Sequence, residues 1–248
     1  MIELVWILLA TFLVSLISFV GATTLILSEK MLKRLLLVLV GFSAGALIGG
    51  AFFHLLPETI EGVAGGQLMD VFTVLISGFV IFFVMEKLLW RHCHERKCPI
   101  HTFAYLNLLG DGVHNFIDGL IIAASFIANF QLGLVATLAV AAHEVPQELG
   151  DFGVIVYGGI GPRRALALNF ITALAAVAGG LSGYCFNNYL SGLMIFFLPF
   201  AAGGFLYIAA SDLVPELHKE RERTRVVASF SAFILGILLM GAMRYVLG

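Results

Sequence analysis

The sequence predicts an all-α polytopic membrane protein: one domain over residues 1–248, with eight transmembrane helices and both termini outside. Three observations carry this. Of the 248 residues, 60% are apolar and 12% charged, against about 45–50% and 25% in ordinary soluble domains. Mean hydropathy is +1.01, and it is spread along the whole chain. The charged residues fall at intervals that cut the apolar sequence into lengths near the roughly 20 residues a bilayer core requires.

These cuts give spans at about 2–27, 34–56, 70–90, 102–128, 131–157, 164–186, 190–214 and 226–247. The first follows Glu3 and no basic cluster, and its apolar run exceeds the roughly 7–15 residues of a signal-peptide core. It therefore reads as a membrane helix. Lys30, Lys33 and Arg34 follow span one; Lys87, Arg91, Arg96 and Lys97 follow span three; Arg163 and Arg164 follow span five; Lys219, Arg221, Arg223 and Arg225 follow span seven. The loops after spans two, four and six hold Glu58, Glu61 and Asp70 but no Lys or Arg. Positive residues stay in the cytoplasm, so the odd-numbered loops are expected inside.

Spans two and seven echo each other. Ala44-Gly45 through Leu55-Leu56-Pro57-Glu58 parallels Ala202-Gly203 through Leu213-Val214-Pro215-Glu216, with Ala51 against Ala209, six matches in 15 positions. The two spans run in opposite directions in this topology, so the echo predicts an inverted repeat of the kind many secondary transporters use. Ordinary helix-packing and helix-end motifs would also account for it.

Spans four and five carry polarity at membrane depth. Asp111, His114, Asn115 and Asp118 sit at offsets 0, 3, 4 and 7, one face of a helix. His143, Glu144, Gln147, Glu148 and Asp151, at offsets 0, 1, 4, 5 and 8, form a slightly wider stripe. Each ionised carboxylate at the bilayer centre costs on the order of 2.5–3.5 kcal/mol, and neither span holds a Lys or Arg to offset it. A bound cation would. Two imidazoles with carboxylate and amide oxygens make a mixed set suited to borderline divalent metals such as Zn²⁺, less to Cu(I). A proton-sharing network that only joins helices is the alternative. Pro146, which cannot donate to the carbonyl of Ala142, is expected to kink span five beside this polar stripe.

Composition excludes disorder, collagen and, with three cysteines, a disulfide scaffold. A net charge of −2 with no basic face excludes nucleic-acid binding. The stretch His92-Cys93-His94-Glu95-Arg96-Lys97-Cys98-Pro99-Ile100-His101 offers five soft or borderline ligands in ten residues, though its spacing matches no zinc finger.

The segments DGVHNFIDG from Asp111 and HEVPQELGDF from His143, with the FFHLLPE and DLVPEL ends of spans two and seven, resemble the ZIP (Zrt/Irt-like) family of divalent metal transporters. They are most similar to the subfamily whose fifth helix reads HEXPHEXGD. The resemblance implies transport of Zn²⁺, and of Fe²⁺, Mn²⁺ or Cd²⁺, into the cytoplasm, with the metal as substrate and no prosthetic group. It implies a binuclear site: His114, Asp118, His143 and Gln147 at one position, Asn115, Asp118, Glu144 and Gln147 at the other, with Asp118 bridging. Gln147 stands where the subfamily has its second His, and an amide is the weaker Zn²⁺ ligand.

Asp111, Glu148 and Asp151 would line the cytoplasmic exit or orient the ligands, and His54 and Glu58 would capture metal at the entrance, with Asp212 and Glu216 as their inner counterparts. The resemblance also implies an elevator-like motion, eased by glycines at 41–50 and 179–183. Expected partners are divalent metal ions, the lipid bilayer and a second copy of the chain as a homodimer; the expected location is the cell (inner) membrane. The competing enzyme reading is a zinc-dependent intramembrane hydrolase with Glu144 as base, but residues 143–147 read HEVPQ rather than HEXXH.

Overall fold

The structure is a computed structural model that describes residues 2–26, 29–63, 68–92 and 101–247. All regular structure among them is helical. Helix α1 (Ile2–Ser15) continues as a 3₁₀ stretch, Leu16–Ile26. Helix α2 (Glu29–Gly50) passes through a π-helical turn, Ala51–Leu55, into α3 (Leu56–Gly62). Helices α4 (Leu68–His92), α5 (Thr102–Ala128) and α6 (Phe130–Tyr157) follow, each unbroken. The sixth predicted span is two helices, α7 (Pro162–Ala173) and α8 (Ala175–Cys185). Helix α9 (Leu190–Tyr207) leads through a second π-helical turn, Ile208–Leu213, into α10 (Val214–Lys219), and α11 (Arg223–Leu247) ends the described chain.

Seven of these stretches are long and apolar enough to cross a membrane. Helix α6 is not one of the seven. Its 28 residues are long enough, at about 1.5 Å each, to cross, but Glu144, Glu148 and Asp151 lower its apolarity. The fold is thus a multi-pass helical membrane bundle. Helices α5 and α6 reverse direction within one residue, because Asn129 is extended and its side chain caps α6 by accepting from the Leu132 N–H at 2.7 Å. At the far end Gly159, at φ 100°, turns the chain after α6, and Pro162 opens α7 in its first turn.

The two π-helical turns occupy matching places in the sequence echo. Each stands just before a Leu/Val-Pro-Glu step, with Pro57 and Pro215 in the first turns of α3 and α10. A proline cannot donate to the carbonyl four residues back, here Phe53 and Ser211, and a widened turn absorbs the mismatch. In contrast, Pro146 is accommodated inside a continuous α6.

Three crossings bring backbones together through glycine. A Cβ on Gly45 would stand 2.0 Å from the Phe233 carbonyl oxygen, and one on Gly236 2.4 Å from that of Phe42, which fixes α2 on α11. Gly119 meets Ala176 at 2.0 Å and Gly179 meets Phe116 at 1.9 Å, fixing α5 on α8. Gly78 meets Phe200 at 2.1 Å and Gly203 meets Leu75 at 2.0 Å, fixing α4 on α9. The glycines expected to ease sliding of the site helices against α2 are therefore spent elsewhere: Gly41, Gly45 and Gly49 face α11, while Gly179 and Gly183 face α5. It is Gly150 and Gly153 of α6 that lie against Ser43 and Leu39 of α2.

Candidate metal centre

The polar stripes of α5 and α6 face each other. On α5, His114 and Asp118 lie one turn apart, with His114 Nε2 3.4 Å from Asp118 Oδ2. On α6, His143 Nε2 reaches the same Asp118 Oδ2 at 3.3 Å. Glu144 Oε1 stands 3.6 Å from His114 Nε2 and 3.8 Å from His143 Nε2. One donor atom from each of the four lies within 4.8 Å of every other. Ligands about 2.0–2.1 Å from a tetrahedral Zn²⁺ would stand roughly 3.4 Å apart, which is close to the 3.3–3.8 Å separations within this group.

The chemistry of the donors points the same way. Asp118, Glu144 and His114 are buried. Both His114 nitrogens and both Glu144 carboxylate oxygens lack a hydrogen-bond partner, as do Asn115 Oδ1 and Gln147 Nε2. Buried polar atoms left unpaired cost about 1–3 kcal/mol each, more when charged. A coordinated cation removes that cost for an imidazole nitrogen and for carboxylate or amide oxygens, though not for the Gln147 amide N–H groups, which only donate. The Phe205 ring, 5.0 Å from the His114 ring, adds an apolar wall.

Sequence position placed Asn115 and Gln147 on the same faces, and both are buried there, at 0% and 4% exposure. Asn115 donates through Nδ2 to Asp111 Oδ1 at 2.8 Å, which leaves its acceptor oxygen free. His54, expected at the entrance, comes closer than its place near a helix end suggests. The π-helical turn carries its ring to 5.6 Å from that of His143, where Nε2 meets the Met240 carbonyl oxygen at 2.9 Å. His54, Glu58, His114, Asp118 and His143 line one cavity of about 230 Å³, with Arg244 at its lip. Arg244 pairs with Glu61 at 2.6 Å and stands 3.9 Å from Glu58.

On the other side of the centre, Asp151 accepts from Asn107 at 3.1 Å and from Ser43 at 3.4 Å, and Glu148 accepts from Asn169. Glu216 bonds Tyr157 at 3.2 Å and pairs with Lys219; Asp212 lies in the second π-helical turn with one carboxylate oxygen unpaired. Cys93, His94, Glu95 and Cys98 lie outside the described residues, while His92 ends α4 and His101 precedes α5.

Comparison with known proteins matches this arrangement to a family. The model of the ZIP zinc transporters matches residues 3–102 and 94–244. The chain belongs to the ZIP zinc transporter family. Zinc transporter ZIP13 of Pongo abelii is 33% identical over 214 residues, covering 82% of this chain and 65% of the relative. The ZIP13 homolog of Drosophila melanogaster is 31% identical over 277 residues, covering 85% and 78%. Zinc transporter YKE4 of Saccharomyces cerevisiae is 31% identical over 215 residues, covering 73% and 60%. The chain thus spans less than two thirds of some of the relatives it matches, and this ZIP chain is a multi-pass membrane protein.

Reading the sequence left out Asn107, Ser43 and Asn169. Asn107 continues the α5 stripe four residues before Asp111, so the same spacing would have found it. Asn169 is the one amide of α7, a helix that opens on Arg163 and Arg164, and only the fold, which buries it against Glu148, marks its role.

Proposed function

We propose that the chain carries divalent metal, Zn²⁺ foremost and Fe²⁺, Mn²⁺ or Cd²⁺ with it, into the cytoplasm by alternating access. The observation that carries this is the convergence of His114, Asp118, His143 and Glu144 at the junction of two membrane helices, with buried donors unpaired. Eight crossings, counting α6, leave both termini outside and the basic loops inside. Metal enters through the cavity of His54 and Glu58, is held at a binuclear site completed by Asn115 and Gln147 with Asp118 shared, and leaves past Asp111, Glu148 and Asp151. The family names of the relatives support zinc as the principal cargo.

The paired π-helical turns before Pro57 and Pro215 support an inverted repeat, with α2–α3 and α9–α10 as counterparts. The α5–α8 and α2–α11 crossings would then lie within two bodies that move past each other at the α2–α6 seam, in the cell membrane and as a homodimer. Purified full-length protein in sealed proteoliposomes should accumulate Zn²⁺ above empty vesicles without an organic substrate. Equal counts in both would refute transport.

Gln147→His tests the second position. It adds a nitrogen donor to an oxygen-rich set, so the half-saturation concentration for Zn²⁺ should fall about tenfold, near 1.4 kcal/mol, with less change for Mn²⁺ and no gain in maximal rate. Identical affinity and selectivity in uptake competition would place residue 147 outside the ligand set. Orientation is tested by thiol labelling. Cys185 is exposed at the end of α8 and should react with an impermeant reagent from outside, whereas Cys93 and Cys98 should not. The reverse pattern in intact right-side-out cells would overturn the topology.

A further inference from the structure

One turn beyond the metal centre lies a second group of buried oxygen atoms that the ligand set above does not use. Helices α5 and α6 are antiparallel, so Asp111, four residues before Asn115, and Glu148, four residues after Glu144, are both displaced about 6 Å toward the same end. Asn169 of α7 meets Glu148 there. Its Nδ2 donates to Glu148 Oε2 and, at 3.4 Å, to the Glu148 carbonyl oxygen. That leaves Asp111 Oδ2, Glu148 Oε1 and Asn169 Oδ1 without hydrogen-bond partners. The three residues are 3%, 1% and 0% exposed. Neither α5 nor α6 contains a Lys or Arg to balance these carboxyl groups.

We infer that Asp111, Glu148 and Asn169 form a third divalent-cation site, distinct from the His114–Asp118–His143–Glu144 centre and built from oxygen donors alone. Two carboxylates and an amide carbonyl without imidazole or thiolate are hard ligands, suited to Mn²⁺ or Mg²⁺ and a weaker holder of Zn²⁺ than the centre above. The Asn115 side chain joins the two groups, since its Nδ2 holds Asp111 Oδ1 while its Oδ1 stays free. An ion leaving the nitrogen-bearing centre would meet this weaker hold on Zn²⁺ next, and Asn107 and Asp151 after it. The place of the site in a path rests on the transport reading; its binding of metal does not.

Equilibrium dialysis and Mn²⁺ electron paramagnetic resonance on the purified full-length protein in nanodiscs separate the two. In a background of Asp118→Ala with Glu144→Ala, which strips the carboxylates from the centre, one Mn²⁺ per chain should remain bound. Adding Asp111→Asn and Glu148→Gln should remove it. In the same background Asn169→Asp, which supplies a third carboxylate in an unchanged shape, should tighten Mn²⁺ about tenfold. The inference is overturned if the background binds no Mn²⁺, if the fourfold variant still binds it, or if Asn169→Asp leaves affinity unchanged or weaker; the last reading stands even where the fourfold variant does not fold. Retained Mn²⁺ in the background variant, together with an unsubstituted protein that moves no Zn²⁺ into proteoliposomes, would uphold the site and sink the transport reading.

Discussion

Asp118→Ala should abolish metal binding at the centre and reduce Zn²⁺ uptake to the level of empty vesicles. Asp118 Oδ2 is the atom that both imidazoles approach, at 3.4 Å from His114 and 3.3 Å from His143. Glu144 Oε1 also stands near both rings but farther away, at 3.6 and 3.8 Å, so removal of Asp118 takes away the closer negative charge and the closer link between the two helices. Loss of groups that merely orient ligands typically costs 10–100-fold in affinity, so deleting this ligand should cost more than about 100-fold. Asp118→Asn keeps the shape and removes the charge, and it should fail almost as completely. Isothermal titration with Zn²⁺ and proteoliposome flux both report. Binding of two equivalents with normal flux in either variant would show that the metal is held elsewhere.

Most spans were legible because hydropathy and bilayer thickness limit their length: helices lie over all eight predicted stretches, and seven of them are long and apolar enough to cross a membrane. What was not legible lies where local rules are silent or misleading. The second span was expected to end near residue 56, since Glu58 and Glu61 look like loop residues. The helix runs on to Gly62 because Pro57 suits a first turn and Arg244, remote in sequence, pairs with the acids. The break at Leu174 has neither Gly nor Pro beside it, and the 3₁₀ stretch after Ser15 has no marker in its composition.

The grouping of polar side chains on α5 and α6 was legible for a different reason. Spacing of three and four residues puts side chains on one face whatever their partners, and acids at membrane depth with no Lys or Arg beside them mark that face as a candidate cation site. Spacing says nothing of which distant helix supplies the next neighbour. So Asp111, Asn115 and Asp118 could be grouped from the chain alone, whereas Asn169 against Glu148, Ser43 against Asp151 and the turn that swings His54 toward His143 required the fold.

Gly179→Leu should prevent the protein from folding into a stable bundle, and Gly179→Ala should already lower its thermal stability. Two principles disagree about the alanine variant. In an exposed helix interior, Ala for Gly would stabilise by about 1 kcal/mol. Here a Cβ would stand 1.9 Å from the Phe116 carbonyl oxygen, and backbone cannot rotate aside as a side chain can. Overpacking by a methylene costs about 1–3 kcal/mol in cores where side chains can yield, and this contact has no such relief. The crossing is reciprocal, for Gly119 meets the Ala176 carbonyl oxygen at 2.0 Å. Any separation of α8 from α5 moves the helix that carries Asp111, His114, Asn115 and Asp118, so Zn²⁺ affinity should fall together with stability. Gly62→Ala is the matched control, because no atom lies within 4 Å of a Cβ there. Size-exclusion profiles and melting of the detergent-solubilised variants provide the measurement. A monodisperse Gly179→Leu protein with the parent melting temperature would show that α5 and α8 do not meet at this glycine.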